Sequence, residues 1–332
     1  MIYHEAGRHK TVQLEFPPAG SHLIWCTPER ERTKGKYEPR AAKPVVQTID
    51  GDWQIDVLGP NALTLDFVSL DGGEPQWVLK AETEVKAREE GSKFELEYRF
   101  HVSDKPEGAQ IGLVAERMPR SHHLFVNGTE ITDLPTDRAF NDVNFLRRDI
   151  DSLAVVGENT VKIAGRVSLD KMKAPVVEAV YVVGNFGVQP REAGFTIGAA
   201  PQTVSAHDLT EQGLLFFPGK VKLRKEFAGG ADAKELRLCG VDATVVEATI
   251  NGQSIGKRAW RPFDFAIPKA LLQDQNVIEL TLSGTLRNLL GPHHHTGGEL
   301  LSVGPYTFRD YAHWTDSYSF VPFGVQKVCL CV

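Results

Sequence analysis

Three consecutive histidines, His293-His294-His295, followed by His313-Trp314-Thr315-Asp316, form the most unusual local cluster of ligand-type side chains in this chain. If the loop is extended, His293 and His295 face one way, and with His313 and Asp316 they would complete a set of donors of the kind zinc accepts. The competing reading is a loop whose histidines hydrogen-bond to backbone and pack on Tyr306, Tyr311 and Trp314. That second reading is preferred, so no metal and no other cofactor is expected.

The same residues have the chemistry of a sugar site. Such a site needs an aromatic face for the apolar side of the ring, and Arg, Asp, Asn or His to hydrogen-bond hydroxyls. Arg258, Trp260 and Arg261, next to Phe263, have this character, as do His293, His295, Tyr306 and Trp314 in the long terminal loop. Earlier in the chain His122, His123, Arg138, Phe140 and Asn144 offer a weaker version. Any of these aromatics can instead plug a core or a seam between domains, but the later loops combine several ring faces with donors. Glycoside hydrolysis would need two carboxyl groups roughly 5 to 10 Å apart, one with a raised pKa. No pair among the 43 acidic residues sits in a defensible motif. Asp264 reads as a turn hydrogen-bonder, and no catalytic residue is assigned.

The elements that must position these side chains are strands. In residues 244–282, Val246, Ala248 and Ile250 alternate with polar residues and run into Asn251-Gly252, the dipeptide best suited to a tight hairpin turn. A return strand, an aromatic segment and a second alternating strand with Ile278, Leu280 and Leu282 follow. The same grammar appears earlier: His123 to Gly128 ends in Asn127-Gly128, and residues 157–163 match residues 274–280, aligning Asn127 with Asn251 and Asn159 with Asn276. A repeat of this length means two copies of one domain, not a solenoid. Helices are scarce, with residues 81–90 and a turn at 208–212 as candidates. Residues 176–183 read as a buried strand, and Asn127-Gly-Thr129, although it matches a glycosylation acceptor, reads as a hairpin turn.

A chain of 332 residues can hold two ordinary domains. A net charge of −6 gives no reason to expect nucleic acid or an anionic membrane as partner. There is no apolar run long enough for a membrane helix and no secretion signal. Cys26 and Cys239 read as buried hydrophobes, and Cys329 and Cys331 share one face of a terminal strand; this reduced set favours a cytoplasmic setting. Residues 1–44 are expected to hold a hairpin around Pro17-Pro18-Ala19-Gly20 and a charged linker, the remnant of a preceding domain. Residues 45–192 and 193–332 are expected to be the two domains. The fold class expected is all-β: two tandem antiparallel β-sandwiches, most simply jelly rolls, with few short helices.

The run Phe217-Pro-Gly-Lys-Val-Lys-Leu-Arg-Lys-Glu-Phe227, then Ala248-Thr-Ile-Asn-Gly252, Phe263-Asp-Phe-Ala-Ile267 and Asn276-Val-Ile-Glu-Leu280, is similar to the galactose-binding-like sandwich of family 2 glycoside hydrolases. With Asn61-Ala-Leu-Thr-Leu-Asp66, the histidine run and Phe320-Val-Pro-Phe-Gly324, the chain resembles the C-terminal region of large bacterial enzymes of family 2-like or α-L-rhamnosidase-like (family 106) type. In those enzymes the catalytic carboxylates lie on a barrel domain, which this chain lacks. The resemblance implies a non-catalytic accessory module whose partners are a carbohydrate ligand and a catalytic glycosidase domain or chain. A stand-alone carbohydrate-binding module and a glycoside hydrolase remain the alternatives.

Overall fold

The computed structural model describes residues 2–6, 9–13, 43–105, 108–132, 139–170, 174–304 and 306–332. The expected hairpin around Pro17-Pro18-Ala19-Gly20, the linker and Cys26 lie outside the described residues, as does Arg138; a separate hairpin pairs Ile2–Ala6 with His9–Gln13. Strands build two β-sandwiches, and helix is confined to Val78–Lys86, the four residues Arg287–Leu290 and three short 3-10 turns among the described residues.

One sandwich faces a sheet containing His123–Val126, Gly157–Arg166, Lys93–Val102 and Phe195–Gly198 with a sheet of Asp142–Asp149, Gly112–Glu116, Val180–Gly184 and Asn61–Leu65. Phe94, Leu96, Tyr98, Leu113, Val161 and Val182 fill its core. In the other, Asp52–Leu58, Lys220–Ala228, Gln275–Ser283 and Val245–Ile250 face Phe263–Ala266, Glu235–Asp242, Gly324–Cys331 and Val45–Thr48. Here Trp53, Leu223, Leu236, Phe265 and Leu280 are buried. Among the described residues pairing is antiparallel almost throughout, but Phe195–Gly198 runs parallel to Lys93–Val102 and Val188 bridges Leu214 in parallel.

The sheets do not follow the boundaries expected at residues 45 and 193. Val45–Thr48 and Asp52–Leu58 join the second sandwich, where Leu223 pairs with Ile55 and Trp53 is 1% exposed, while Phe195–Gly198 completes a sheet of the first. The chain enters the second sandwich, leaves it to build the first, and returns. Alternation identifies a strand but not its partner, and the apolar face of Trp53 and Ile55 is buried only in the second core.

The repeat is reproduced atom by atom. Asn127 and Asn251 take positive φ angles of 47° and 50°, followed by Gly128 and Gly252 at 81° and 77°. Each asparagine then reaches the neighbouring strand of its own sheet. Asn127 Nδ2 donates to Asn159 Oδ1 at 2.8 Å and Asn251 Nδ2 to Asn276 Oδ1 at 2.9 Å. Their Oδ1 atoms accept from Thr160 N–H and Val277 N–H, each at 2.8 Å. Their amides also reach the carbonyls of Leu153 and Leu271. Both hydrogens of the Asn127 amide are thereby engaged in the fold.

Three expectations change. The helix begins at Val78 and ends at Lys86, not at 81 and 90: it is set by the Val78 N–H donating to the Asp66 carbonyl and by burial of Val78, Ala81 and Val85. Only Val180–Gly184 of residues 176–183 is strand. Cys239 is exposed, because its neighbours Leu236 and Leu238 take the inward positions; Cys329 and Cys331 are buried, and burial raises both thiol pKa values. The turn at 208–212 is present as a 3-10 turn at Thr210–Gln212, with Asp208 Oδ1 accepting from Thr210 N–H at 3.0 Å.

Candidate functional site

The long segment between Gln275–Ser283 and Gly324–Cys331 folds back over the first sandwich. Its two arms are zipped by backbone: Ser319 N–H donates to His293 O, Thr315 N–H to His294 O and Thr296 N–H to His313 O. Asn288 braces the base, donating to Val321 O and accepting from Val321 N–H. These bonds hold His293 to His295 opposite His313 to Ser319.

The anchor on the other side is the strand Asn61–Leu65, every residue of which is buried. Thr64 Oγ1 donates to Leu289 O at 2.8 Å. Asp66 follows, 5% exposed, and collects three partners from the loop: His294 Nε2 at 3.2 Å, His293 Nδ1 at 3.4 Å, and the Tyr318 hydroxyl. The far nitrogens are committed as well, His293 Nε2 to Asn288 O at 2.8 Å and His294 Nδ1 to Thr315 O at 3.0 Å. Burial alone would raise the Asp66 pKa, but the histidine hydrogen bonds and charges outweigh it and hold the carboxyl well below the usual carboxylate range. Burial, then the Asp66 charge, pushes the Tyr318 hydroxyl far up, so it remains a donor.

Beside this cluster lies a pocket of about 170 Å³, lined among others by Thr64, Asp66, Trp77, Glu178, His294 and His295. Trp77 and His294 line it, and Trp314 and Tyr311 pack against Trp77 without lining it. The Trp77 and Trp314 rings stand 4.2 Å apart, His294 packs on Trp314 at 4.4 Å, and Tyr311 meets Trp77 at 5.5 Å. Lys80 Nζ sits 5.7 Å from the Trp314 ring. Glu178 is the opposite of Asp66: burial, and then the charge of Glu82, raises its pKa against the pull of Lys86 and Arg309. One pocket therefore holds two carboxyl groups whose pKa values are moved in opposite directions.

At the pocket rim, Asp310 Oδ2 lies 2.7 Å from His313 Nδ1 and 3.6 Å from His295 Nε2. The potential ligand atoms of these three side chains lie within 4.8 Å of one another. The candidate metal set weighed in the sequence, and not preferred there, is thereby rearranged. His293 is taken by Asp66 and Asn288, and Asp316 accepts from Trp314 Nε1 at 2.9 Å, leaving Asp310 as the acid between His295 and His313.

The expected sugar-binding residues divide. His293 and His295 line the pocket, and Trp314 backs its aromatic wall. Tyr306 is 90% exposed and does not line it. Arg258, Trp260 and Arg261 belong to the second sandwich and do not line the pocket: Arg258 Nε donates to Asp264 O, its guanidinium lies over the Phe265 ring, and Trp260 is 57% exposed. In the first sandwich His122 packs on Phe94 and His123 pairs with Glu130. Asp66, Trp77, Glu178, Asp310 and Tyr318 were missed. A signal existed for one of them: Asn61, Thr64 and Asp66 are polar residues in and beside a strand whose neighbours are apolar, and buried polar groups must find partners.

No family model matches the chain, and no curated protein does. The solved structures it resembles include a rhamnosidase from Novosphingobium sp. PP1Y (15% identity, 73% of this chain and 23% of that chain, TM-score 0.26). An α-L-rhamnosidase from Streptomyces avermitilis, solved with L-rhamnose, matches at 13% identity over 70% of this chain and 25% of that one, TM-score 0.31. A family 2 β-glucuronidase matches at 10% identity over 69% and 27%, TM-score 0.30. The chain spans about a quarter of the length of each.

Proposed function

We propose that the chain is an accessory, carbohydrate-binding module of a glycoside hydrolase, and that its sugar site is the pocket between the strand Asn61–Leu65 and the histidine loop. The observation that carries this reading is the pairing of aromatic lining, Trp77 and His294 backed by Trp314, with Thr64, Asp66, Glu178 and His295 in one concave site. Sugar rings present an apolar face to such a lining and hydroxyls to such polar groups. The sequence motifs of galactose-binding-like sandwiches point the same way. A catalytic glycosidase domain or chain is the proposed partner.

A glycan array followed by calorimetry tests it. Trp77→Ala is expected to weaken binding at least about tenfold, the loss of roughly 1.4 kcal/mol or more that one stacked aromatic supplies. Trp260→Ala, at an exposed ring outside the pocket, is expected to leave affinity unchanged. The reverse outcome would move the site to the Arg258 to Arg261 face, and no binding at all would leave a purely structural module.

A second reading has its own observation. Two carboxyl groups line one pocket with pKa values pushed in opposite directions, a feature shared by general acid and base pairs. If the chain hydrolyses glycosides, Glu178 is the acid and Asp66 the ionised partner. Turnover of aryl rhamnosides, galactosides or glucuronides is then expected, and Glu178→Gln abolishes it for substrates with poor leaving groups. Absence of turnover across the three classes removes this reading and leaves the binding module.

A further inference from the structure

We infer that a divalent transition-metal cation binds at the rim of the pocket, held by His295, Asp310 and His313. Two imidazoles and one carboxylate form a donor set used for zinc and other first-row divalent ions, and three protein ligands leave coordination positions open. The three ligand atoms fall within 4.8 Å of one another.

The fold fixes each donor separately. Asp310 Oδ1 accepts from Ala312 N–H at 3.1 Å and so caps the turn Tyr311–His313, which leaves Oδ2 turned to the two rings. The bond from Thr296 N–H to His313 O at 2.7 Å, and the bridge between His295 and Trp314, set the two histidines side by side. Their ring centroids are 5.3 Å apart with planes at 18°. Access is graded: the side chains of His295, Asp310 and His313 are 13%, 31% and 59% exposed, so an ion enters from the His313 side.

Coordination is a proton exchange. Asp310 Oδ2 now faces His295 Nε2 and His313 Nδ1, and these nitrogens must present lone pairs to an ion. Each neutral ring then carries its one proton on the far nitrogen, and any second ring proton is released to solvent. For His295 the far nitrogen is Nδ1, which accepts from Gly297 N–H at 3.0 Å in the metal-free geometry. That contact opens when the ion binds. It lies in the exposed turn at Thr296 and Gly297, where backbone can rotate at little cost. His313, the most exposed ligand, reorients to meet the ion. Because His295 and Asp310 also line the pocket, the open positions face it, where hydroxyl or carboxylate oxygens of a bound molecule complete the shell.

The test uses the full chain, free of any histidine tag, stripped with chelator and desalted. Titration with Co2+, read by its visible absorption, and with Zn2+ by calorimetry, is expected to give one equivalent, with no thiolate charge-transfer band. Asp310→Asn keeps an oxygen to cap the turn while removing the charge, and His313→Ala changes an exposed side chain. Each is expected to weaken binding by about tenfold or more, as loss of a direct ligand exceeds the smaller effects of outer-shell changes. His123→Ala, at the exposed His123 and Glu130 pair, is expected to leave affinity unchanged. Well under one equivalent, or equal affinity in both ligand variants with unchanged melting of the metal-free proteins, would overturn the site; a thiolate band would assign the ion to cysteine instead.

Discussion

Asn276→Ala is expected to destabilise the second sandwich by about 3 to 4 kcal/mol, near the top of the range for single substitutions. The side chain is 2% exposed and makes four hydrogen bonds: it accepts from Asn251 Nδ2 and Gln273 N–H, and donates to Gly229 O and Gln273 O. Truncation leaves several of these buried groups without partners, each costing about 1 to 3 kcal/mol where water cannot reach it. It also frees Asn251, whose left-handed conformation forms the hairpin turn and whose amide would lose its anchor. Asn159→Ala is expected to do the same to the first sandwich, because Asn159 is fully buried and bonds Asn127, Val155 and Gly157 in the equivalent way. Urea denaturation followed by tryptophan fluorescence measures both. A loss below about 1 kcal/mol in either variant would mean that water replaces the missing amide, and that the pair does not latch its sandwich.

Asp66→Asn is expected to release the histidine loop and to cost about 3 kcal/mol, because removing one partner of a buried ionic cluster leaves the others uncompensated. His293, His294 and Tyr318 all converge on this carboxyl, and Thr64 makes the only other side-chain bond from Asn61–Leu65 to the loop among those described above. Ligand affinity is expected to fall at least about tenfold with it, since His294, held by Asp66, lines the pocket with Trp314 packed against it. The effect has a pH signature. The Asp66 pKa is depressed in the folded protein from its ordinary value of 3.8. Its contribution to stability is therefore complete above that value and declines as pH falls toward the folded value, where the carboxyl takes up its proton in both states. The stability gap between the two proteins is expected to be constant near neutrality and to narrow in acid below about pH 4. A gap that stays constant down to the acid transition would show that Asp66 is not the charged anchor of the loop. Hydrogen exchange at the Thr315 and Ser319 amides, which pair with His294 and His293, would locate the released segment.

The sequence alone determined the strand-rich fold class, the hairpin turns and the internal repeat, all of which rest on local chemistry. Alternation over two residues marked the strands, and Asn-Gly marked the hairpins, because a tight turn needs positive φ at successive positions. The spacing of Asn127 with Asn159 and of Asn251 with Asn276 announced two copies of one sandwich, and the structure joins each pair by the same hydrogen bonds. The histidine run was also recognised as the most unusual segment. Tertiary structure alone decided where these pieces meet. Asp66 and His294 are 228 residues apart in sequence, and nothing in either local pattern specifies the other. Residues 45–58 carry the same strand pattern wherever they pair, and only burial of Trp53 assigns them to the second core. Asp310 replaces Asp316 beside His295 and His313 because a 3-10 turn, not an extended chain, connects them. Local patterning marks most of the strands and their hairpin turns. Partner choice and the pocket follow from which apolar faces can be buried together, and that is a property of the whole chain.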